Sequence, residues 1–202
     1  MRKPTPFLAT LALLIAAAAG ARAETGAVVQ AGVAAAVRGQ VEQVSLASAT
    51  TVGRIVESGD PIYLGDEIRT GPSAGLQVLL MDETVFTIGP DSGLVIDIFV
   101  YDPETDSGEV AARIVSGVFR FVSGRIARRE PSDMTVHLPV GIIGIRGTAV
   151  AGRLADDSAT VVLLGPGEDN NAGERPGRIV VGNDNGSVEV TRPGFGVEMG
   201  AF

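Results

Sequence analysis

The chain has 202 residues, no cysteine, a single histidine and a net charge of −8. Those counts exclude disulfides, thiol catalysis and a metal centre built from several histidines or cysteines. The acidic balance argues against a nucleic-acid partner, whose affinity rests on neutralising phosphates with basic groups.

The first element is a leader. Arg2 and Lys3 precede an apolar run from Phe7 to Ala19, and Ala21-Arg22-Ala23 follows. A basic start, a short apolar stretch and an A-x-A end read as a secretory signal peptide over 1–23, cleaved near Ala23. The run is shorter than the roughly 20 residues that span a bilayer. Every later apolar stretch is broken by glycine or charge, so no retained transmembrane helix is expected. Cleavage removes three cations and no anion, which takes the charge from −8 to −11. About 180 residues remain, enough for one domain with its own core. The expected compartment is the periplasm, with a second export step left open.

A lead over 24–33 comes next, and from there strand signals dominate. Ala34 to Val44 ends in alternation, and Gly75 to Met81 and Thr84 to Ile88 flank Asp82-Glu83 as a hairpin. Gly71-Pro-Ser73-Ala-Gly75 matches G-x-S-x-G, but that motif needs a helix after it, and GLQVLLM reads as strand. Leu94 to Val100 alternates around Asp97. Ile114 to Val122 puts Val118, Arg120 and Val122 on one face and Phe119 and Phe121 on the other.

The loop from Asp102 to Gly108 places Asp102, Glu104 and Asp106 at alternate positions. That is a weak candidate calcium site, or a solvated hairpin loop; Ser107 and Arg113 stand where an EF-hand needs glycine and glutamate. Arg125, Arg128 and Arg129 form a basic cluster that can hold a carboxylate, a phosphate or an anionic glycan, or pair with neighbouring acids. His137 lies on a strand-like stretch without a second histidine, so it reads as an edge or half-buried residue.

LPVGIIGIRGTAVAG follows, with Gly141, Gly144 and Gly147 three apart and Arg146 as its one charge. Glycine within a strand marks a bend or a close backbone approach. Arg146 is expected to be carried inward or across a seam and to bridge to Asp60 or Asp66, because a buried guanidinium needs partners, with a ligand contact as the alternative role. Thr160 to Leu164 is a further strand, and the exposed loop Gly165 to Gly177 comes after it. Arg178 to Val181 and Ser187 to Val190 surround Asn185-Gly186, the strongest local hairpin signal.

Four of these blocks, in this order, resemble the FecR domain family. They are SGDPIYLGDEIRTG (58–71), GLQVLLMDETVFTIGPDSGLVI (75–96), GVFRFVSG (117–124) and LPVGIIGIRGT (138–148). The motif positions are Gly59, Asp60, Gly65, Asp66, Thr70 and Gly71 in the first block, and Gly144, Arg146, Gly147 and Thr148 in the last. Asp82-Glu83-Thr84 stands where such sequences more usually have Asp-Gly-Ser. The resemblance implies an all-β periplasmic module. In the best-known arrangement this module follows a cytoplasmic anti-sigma segment and one membrane span, and takes its signal from an outer-membrane iron-siderophore transporter. This sequence is expected to lack both of those preceding parts.

The expected fold is a single all-β domain of short strands, solenoid-like or a sandwich. A FecR-like domain over 34–155 would carry a C-terminal β-hairpin extension, 156–202, packed on it. The expected function is binding or scaffolding without catalysis or cofactor, by docking an envelope protein or glycan through strand edges and loops. Two alternatives stay open. One is a glycan-active enzyme drawing a carboxylate pair from Asp82, Glu83, Asp91 and Asp97. The other is a calcium-dependent adhesion module built on the 102–109 loop.

Overall fold

The structure is a computed structural model that describes residues 28–46, 53–166, 173 and 175–200. The leader over 1–23 and most of the Gly165–Gly177 loop lie outside the described residues. Among the described residues, no helix is long and apolar enough to cross a membrane.

The predicted run from Ala34 to Val44 is two strands, β1 (Gln30–Arg38) and β2 (Val41–Ser45). Gly39 divides them with φ at 71°. The short strands β3 (Gly53–Ile55), β4 (Pro61–Tyr63) and β5 (Asp66–Thr70) follow. Next come the hairpin β6 (Gly75–Leu80) and β7 (Val85–Ile88), and the longer hairpin β8 (Gly93–Asp102) and β9 (Ser107–Ser116). Alternation in β8 fails at Asp97, where the register against β9 shifts between Ile96 and Ile98. This bulge puts both Asp97 and Ile98 outside.

The predicted run from Ile114 to Val122 is divided at Gly117, whose φ is 83°, into the end of β9 and β10 (Val118–Val122), which lies in a different sheet. β10 keeps the predicted two faces, with Phe119 and Phe121 buried. Among the described residues, one short helix, α1 (Arg125–Arg129), and a 3₁₀ turn at Pro131–Asp133 interrupt the strands. Five residues carry too little periodicity for a helix to be read from sequence. Buried Ile126 and Ala127 hold α1 down. The chain then runs through β11 (Met134–Leu138), β12 (Gly141–Arg146), β13 (Ala149–Ala155) and β14 (Ser158–Gly165). It ends in β15 (Arg178–Asn183), β16 (Gly186–Val190) and β17 (Gly196–Gly200).

The strands form two sheets. One has eight strands in the order β17-β14-β13-β10-β7-β6-β1-β4, and the other has nine in the order β16-β15-β12-β11-β9-β8-β5-β2-β3. From β5 onward each sheet grows in one direction as the chain crosses between them. The result is an all-β sandwich with a solenoid-like order of growth. All the pairings are antiparallel except β9 with β11. The C-terminal segment is divided between the layers, with β14 and β17 in one sheet and the β15–β16 hairpin in the other.

The inward side chains of both sheets make one core. Phe86, Phe119 and Phe121 pack together within it, with ring centroids 5.9 Å apart for Phe86–Phe121 and 5.7 Å apart for Phe119–Phe121. Asp82, fully buried, sits in the β6–β7 turn. It accepts from the Thr84 backbone N–H at 3.0 Å and the Thr84 hydroxyl at 2.7 Å. The Asp82 carbonyl accepts from the Arg125 backbone N–H at 2.8 Å, which docks α1 on the β6–β7 turn. Glu83 occupies the left-handed position of that turn at φ 70°, where glycine is the usual residue.

Candidate functional site

The block at 58–71 is internally satisfied. Asp60 accepts from Arg54 Nη1 at 3.1 Å and from the Glu57 N–H at 3.0 Å. Asp66 accepts from buried Gln43, whose side-chain oxygen in turn accepts from Arg54 Nη2 at 2.9 Å. The Thr70 hydroxyl donates to the Gly89 carbonyl at 2.6 Å and accepts from the Ser92 N–H at 2.9 Å. Gly59 and Gly65 take φ values of 95° and 77° in the turns. Gly71 receives Ala74 N–H on its carbonyl at 3.0 Å, so the G-x-S-x-G match is the turn between β5 and β6.

The expected bridge from Arg146 to Asp60 or Asp66 is therefore not formed. Both acids have other partners, and β12 lies four strand spacings from β5 in the sheet order. At about 4.8 Å per strand, that is roughly 19 Å. Nor is Arg146 carried inward. In β12, Ile143 and Ile145 are buried while Ile142, Gly144 and Arg146 face outward.

The three glycines around Arg146 have three different reasons. A Cβ on Gly141 would meet the Gly182 carbonyl oxygen at 2.5 Å, and Gly147 sits at φ +65°. Gly144 has neither constraint, since its nearest neighbours would be Val180 O at 3.8 Å and Val180 Cβ at 4.0 Å. It leaves open space on the outer face of the nine-stranded sheet.

Cross-strand register builds that face in rows. His137, Ile142 and Gly182 stand side by side, then Thr135, Gly144 and Val180, then Arg146 and Arg178. A groove of ≈ 890 Å³ lies over these rows, with Gly144 on its floor and His137 and Ile142 on its wall. His137 is exposed there, on an interior strand of the sheet. The groove reaches Gly186 and Ser187 on β16, the edge strand.

An adjoining cavity of ≈ 490 Å³ is lined by Arg128, Arg146, Arg175 and Arg178. Arg146 and Pro131 border both spaces. Arg178 Nε pairs with Glu189 at 2.9 Å, and among the described residues Arg128, Arg146 and Arg175 form no ion pair. Glu130 stands nearby. Its carboxyl is held below the ordinary range by the Ser132 hydroxyl and N–H first, then by the charges of Arg146 and Arg129.

The basic cluster read from sequence is thus split. Arg125 Nη2 pairs with Glu83 at 2.5 Å, and its Nη1 lies 3.6 Å from Asp106. The pair lowers the Glu83 carboxyl and raises the guanidinium. Arg128 turns to the cavity, and Arg129 is exposed. Arg175 and Arg178 were not singled out in sequence. They are separated from Arg146 in sequence by β13, β14 and the loop that follows, and only the β12–β15 register brings Arg178 opposite it.

The acids considered for other roles are dispersed. Asp102 is held low by the Thr105 hydroxyl and the Glu104 N–H, closing its own turn. Asp106 accepts from the Tyr101 hydroxyl at 2.7 Å, which raises the pKa of that phenol. Glu104 lies exposed in the same turn. Among the described residues, no group of three or more His, Cys, Asp or Glu is placed to hold a metal ion. Asp97 pairs with Arg113, and Asp91 sits at φ 51° in the β7–β8 turn. Thr148 donates to the Gly165 carbonyl at 2.9 Å and ties the end of the GIRGT block to β14.

Residues 66–165 match the family model described as FecR protein. No curated protein and no solved structure matches the chain.

Proposed function

The chain is a FecR-domain protein, and from that premise we propose that it is a periplasmic docking module in cell-surface signalling that binds an envelope partner without catalysis. The family points to a signalling-related domain that works through a partner. The observation that carries the docking reading is the groove over the outer face of the nine-stranded sheet, floored by Gly144 in the matched segment. An outward glycine with room for a side chain has no packing role, so the position keeps the groove open. β16, one of the sheet's two edge strands among the described residues, borders the same groove. An extended partner segment can add to that edge by main-chain hydrogen bonds while a side chain reaches the groove.

The test is a photo-crosslinking residue placed in living cells at Ile142, in the groove, and separately at Leu79, an exposed position on the other sheet. One dominant envelope adduct from Ile142 and none from Leu79 is the expected result. Equal labelling from both positions sinks the docking site. Fractionation of the same cells checks the compartment, and recovery in the cytoplasm sinks the periplasmic assignment.

A further inference from the structure

Arg146 and Arg178 stand directly opposite each other across β12 and β15, on the same outward face. Like charges in that position repel and destabilise a sheet. Two further arginines, Arg128 from α1 and Arg175 from the loop before β15, line the same cavity. This crowding occurs in a chain whose net charge is −8. Nearby carboxylates offset only part of it: Glu189 pairs with Arg178, and Glu130 interacts with Arg146 through its charge. Among the described residues, two positive charges are left over around one opening.

We propose that this four-arginine cavity binds a phosphate monoester dianion. The charge matches the surplus. Each guanidinium offers donors in a rigid fork suited to bidentate contact with an oxyanion. Four forks around one space present more donors than the two oxygens of one carboxylate can accept, whereas a phosphoryl group offers three strongly accepting oxygens. The overall acidity of the chain repels anions at long range, so the local cluster alone supplies the attraction. The cavity, at ≈ 490 Å³, has room beyond the phosphoryl group for part of an organic remainder. Since Arg146 and Pro131 border both spaces, that remainder leads into the groove past Gly144. The proposal rests on this geometry and does not require the docking reading.

Inorganic phosphate is the first probe, with chloride at equal ionic strength as control and thermal melting of the full chain as readout. The expected result is a rise in melting temperature with phosphate beyond that with chloride. The double variant Arg128→Ser/Arg175→Ser changes two exposed side chains. It is expected to melt like the wild type without phosphate and to bind phosphate at least about tenfold more weakly, as loss of charged hydrogen bonds requires. An equal response to chloride and phosphate overturns the proposal, and so does an undiminished phosphate response in the double variant. If that variant melts lower without phosphate, Arg128→Lys/Arg175→Lys, which keeps the charge but not the fork, decides by the same loss of phosphate response. Glucose 1-phosphate and phosphatidic acid vesicles then identify the source. Binding of the sugar phosphate alone places the ligand in solution. Vesicle association lost in the double variant places it on a lipid headgroup. The Ile142 crosslink reads the docking proposal separately, and its failure with phosphate binding intact leaves this site standing.

Discussion

The blocks at 58–71 and 138–148 are equally rich in glycine and each carries charge, yet one is closed and the other open. In the first, Asp60, Asp66 and Thr70 spend their hydrogen-bonding capacity on Arg54, Gln43, Gly89 and Ser92. In the second, Gly144 leaves room for a side chain and Arg146 faces a like charge. Polar groups that satisfy one another hold a fold together. Groups left facing space or repelling their neighbours cost stability, and such sites are where function is expected. The first block therefore belongs to the architecture, and the second carries residues of the proposed recognition site.

The largest expected effect is in the closed block. Thr70→Val keeps the shape but strands the Ser92 N–H and the Gly89 carbonyl, which costs about 2 kcal/mol. For a domain of this size that is a fall of about 4–8 °C in melting temperature. The phosphate response is expected to stay as in the wild type. Loss of that response with an unchanged melting temperature would invert the comparison.

A pair of glycine variants sharpens it within the open block. Gly141→Ala drives a Cβ against the Gly182 carbonyl and is expected to cost about 1–3 kcal/mol. Gly144→Ala meets nothing closer than 3.8 Å and is expected to stabilise by about 0.5–1 kcal/mol, since glycine within a strand carries an entropic cost. Gly144→Val is expected to keep the fold and weaken the crosslink from Ile142. If Gly144→Ala destabilises as much as Gly141→Ala, the open floor is an incorrect description.

Smaller still is the effect of Arg146→Gln. In low salt without phosphate it is expected to melt no lower than the wild type, because it removes a repulsion with Arg178. Added chloride should narrow any difference by screening. A melting temperature several degrees lower would return Arg146 to a structural role.

The smallest effect is on the acid limb of stability. Glu83, Asp102 and Glu130 are all held below their ordinary carboxylate values in the fold, by Arg125, Thr105 and Ser132 respectively as the leading partners. A depressed folded pKa contributes stability that is fully present above the unfolded value, and it is lost as pH falls through the folded value. The loss is therefore expected in the acid range below ordinary carboxylate titration. Glu83→Gln should flatten that limb slightly in a series of melts against pH, leaving the neutral-pH melt nearly unchanged because exposed pairs contribute little. A slope identical to that of the wild type would show that the Glu83–Arg125 pair contributes nothing.

Much of the fold was legible in residues alone. The alternation of Phe119 and Phe121 against Val118, Arg120 and Val122 marks β10, and Asn185-Gly186 marks the β15–β16 hairpin, because strand periodicity and turn chemistry are written over a few neighbouring residues. The bulge at Asp97 and the helix at Arg125–Arg129 were not legible. The bulge follows from register against β9, and the helix from docking on Asp82 and Thr84. The candidate site was half visible. Gly144, Arg146 and Arg128 stood out as unusual, while Arg175 and Arg178 looked like ordinary loop and strand residues.

By itself the sequence determined many of the strand segments, several of their inward faces and turns, and the all-β class, for those depend on period-two patterning and on residues that accept special φ values. Which strands became neighbours was a tertiary decision. It set β15 beside β12, placed Arg178 opposite Arg146 and kept both far from Asp60 and Asp66. Side-chain period says which face a residue takes. Only register, fixed by the packing of whole sheets, says what stands next to it.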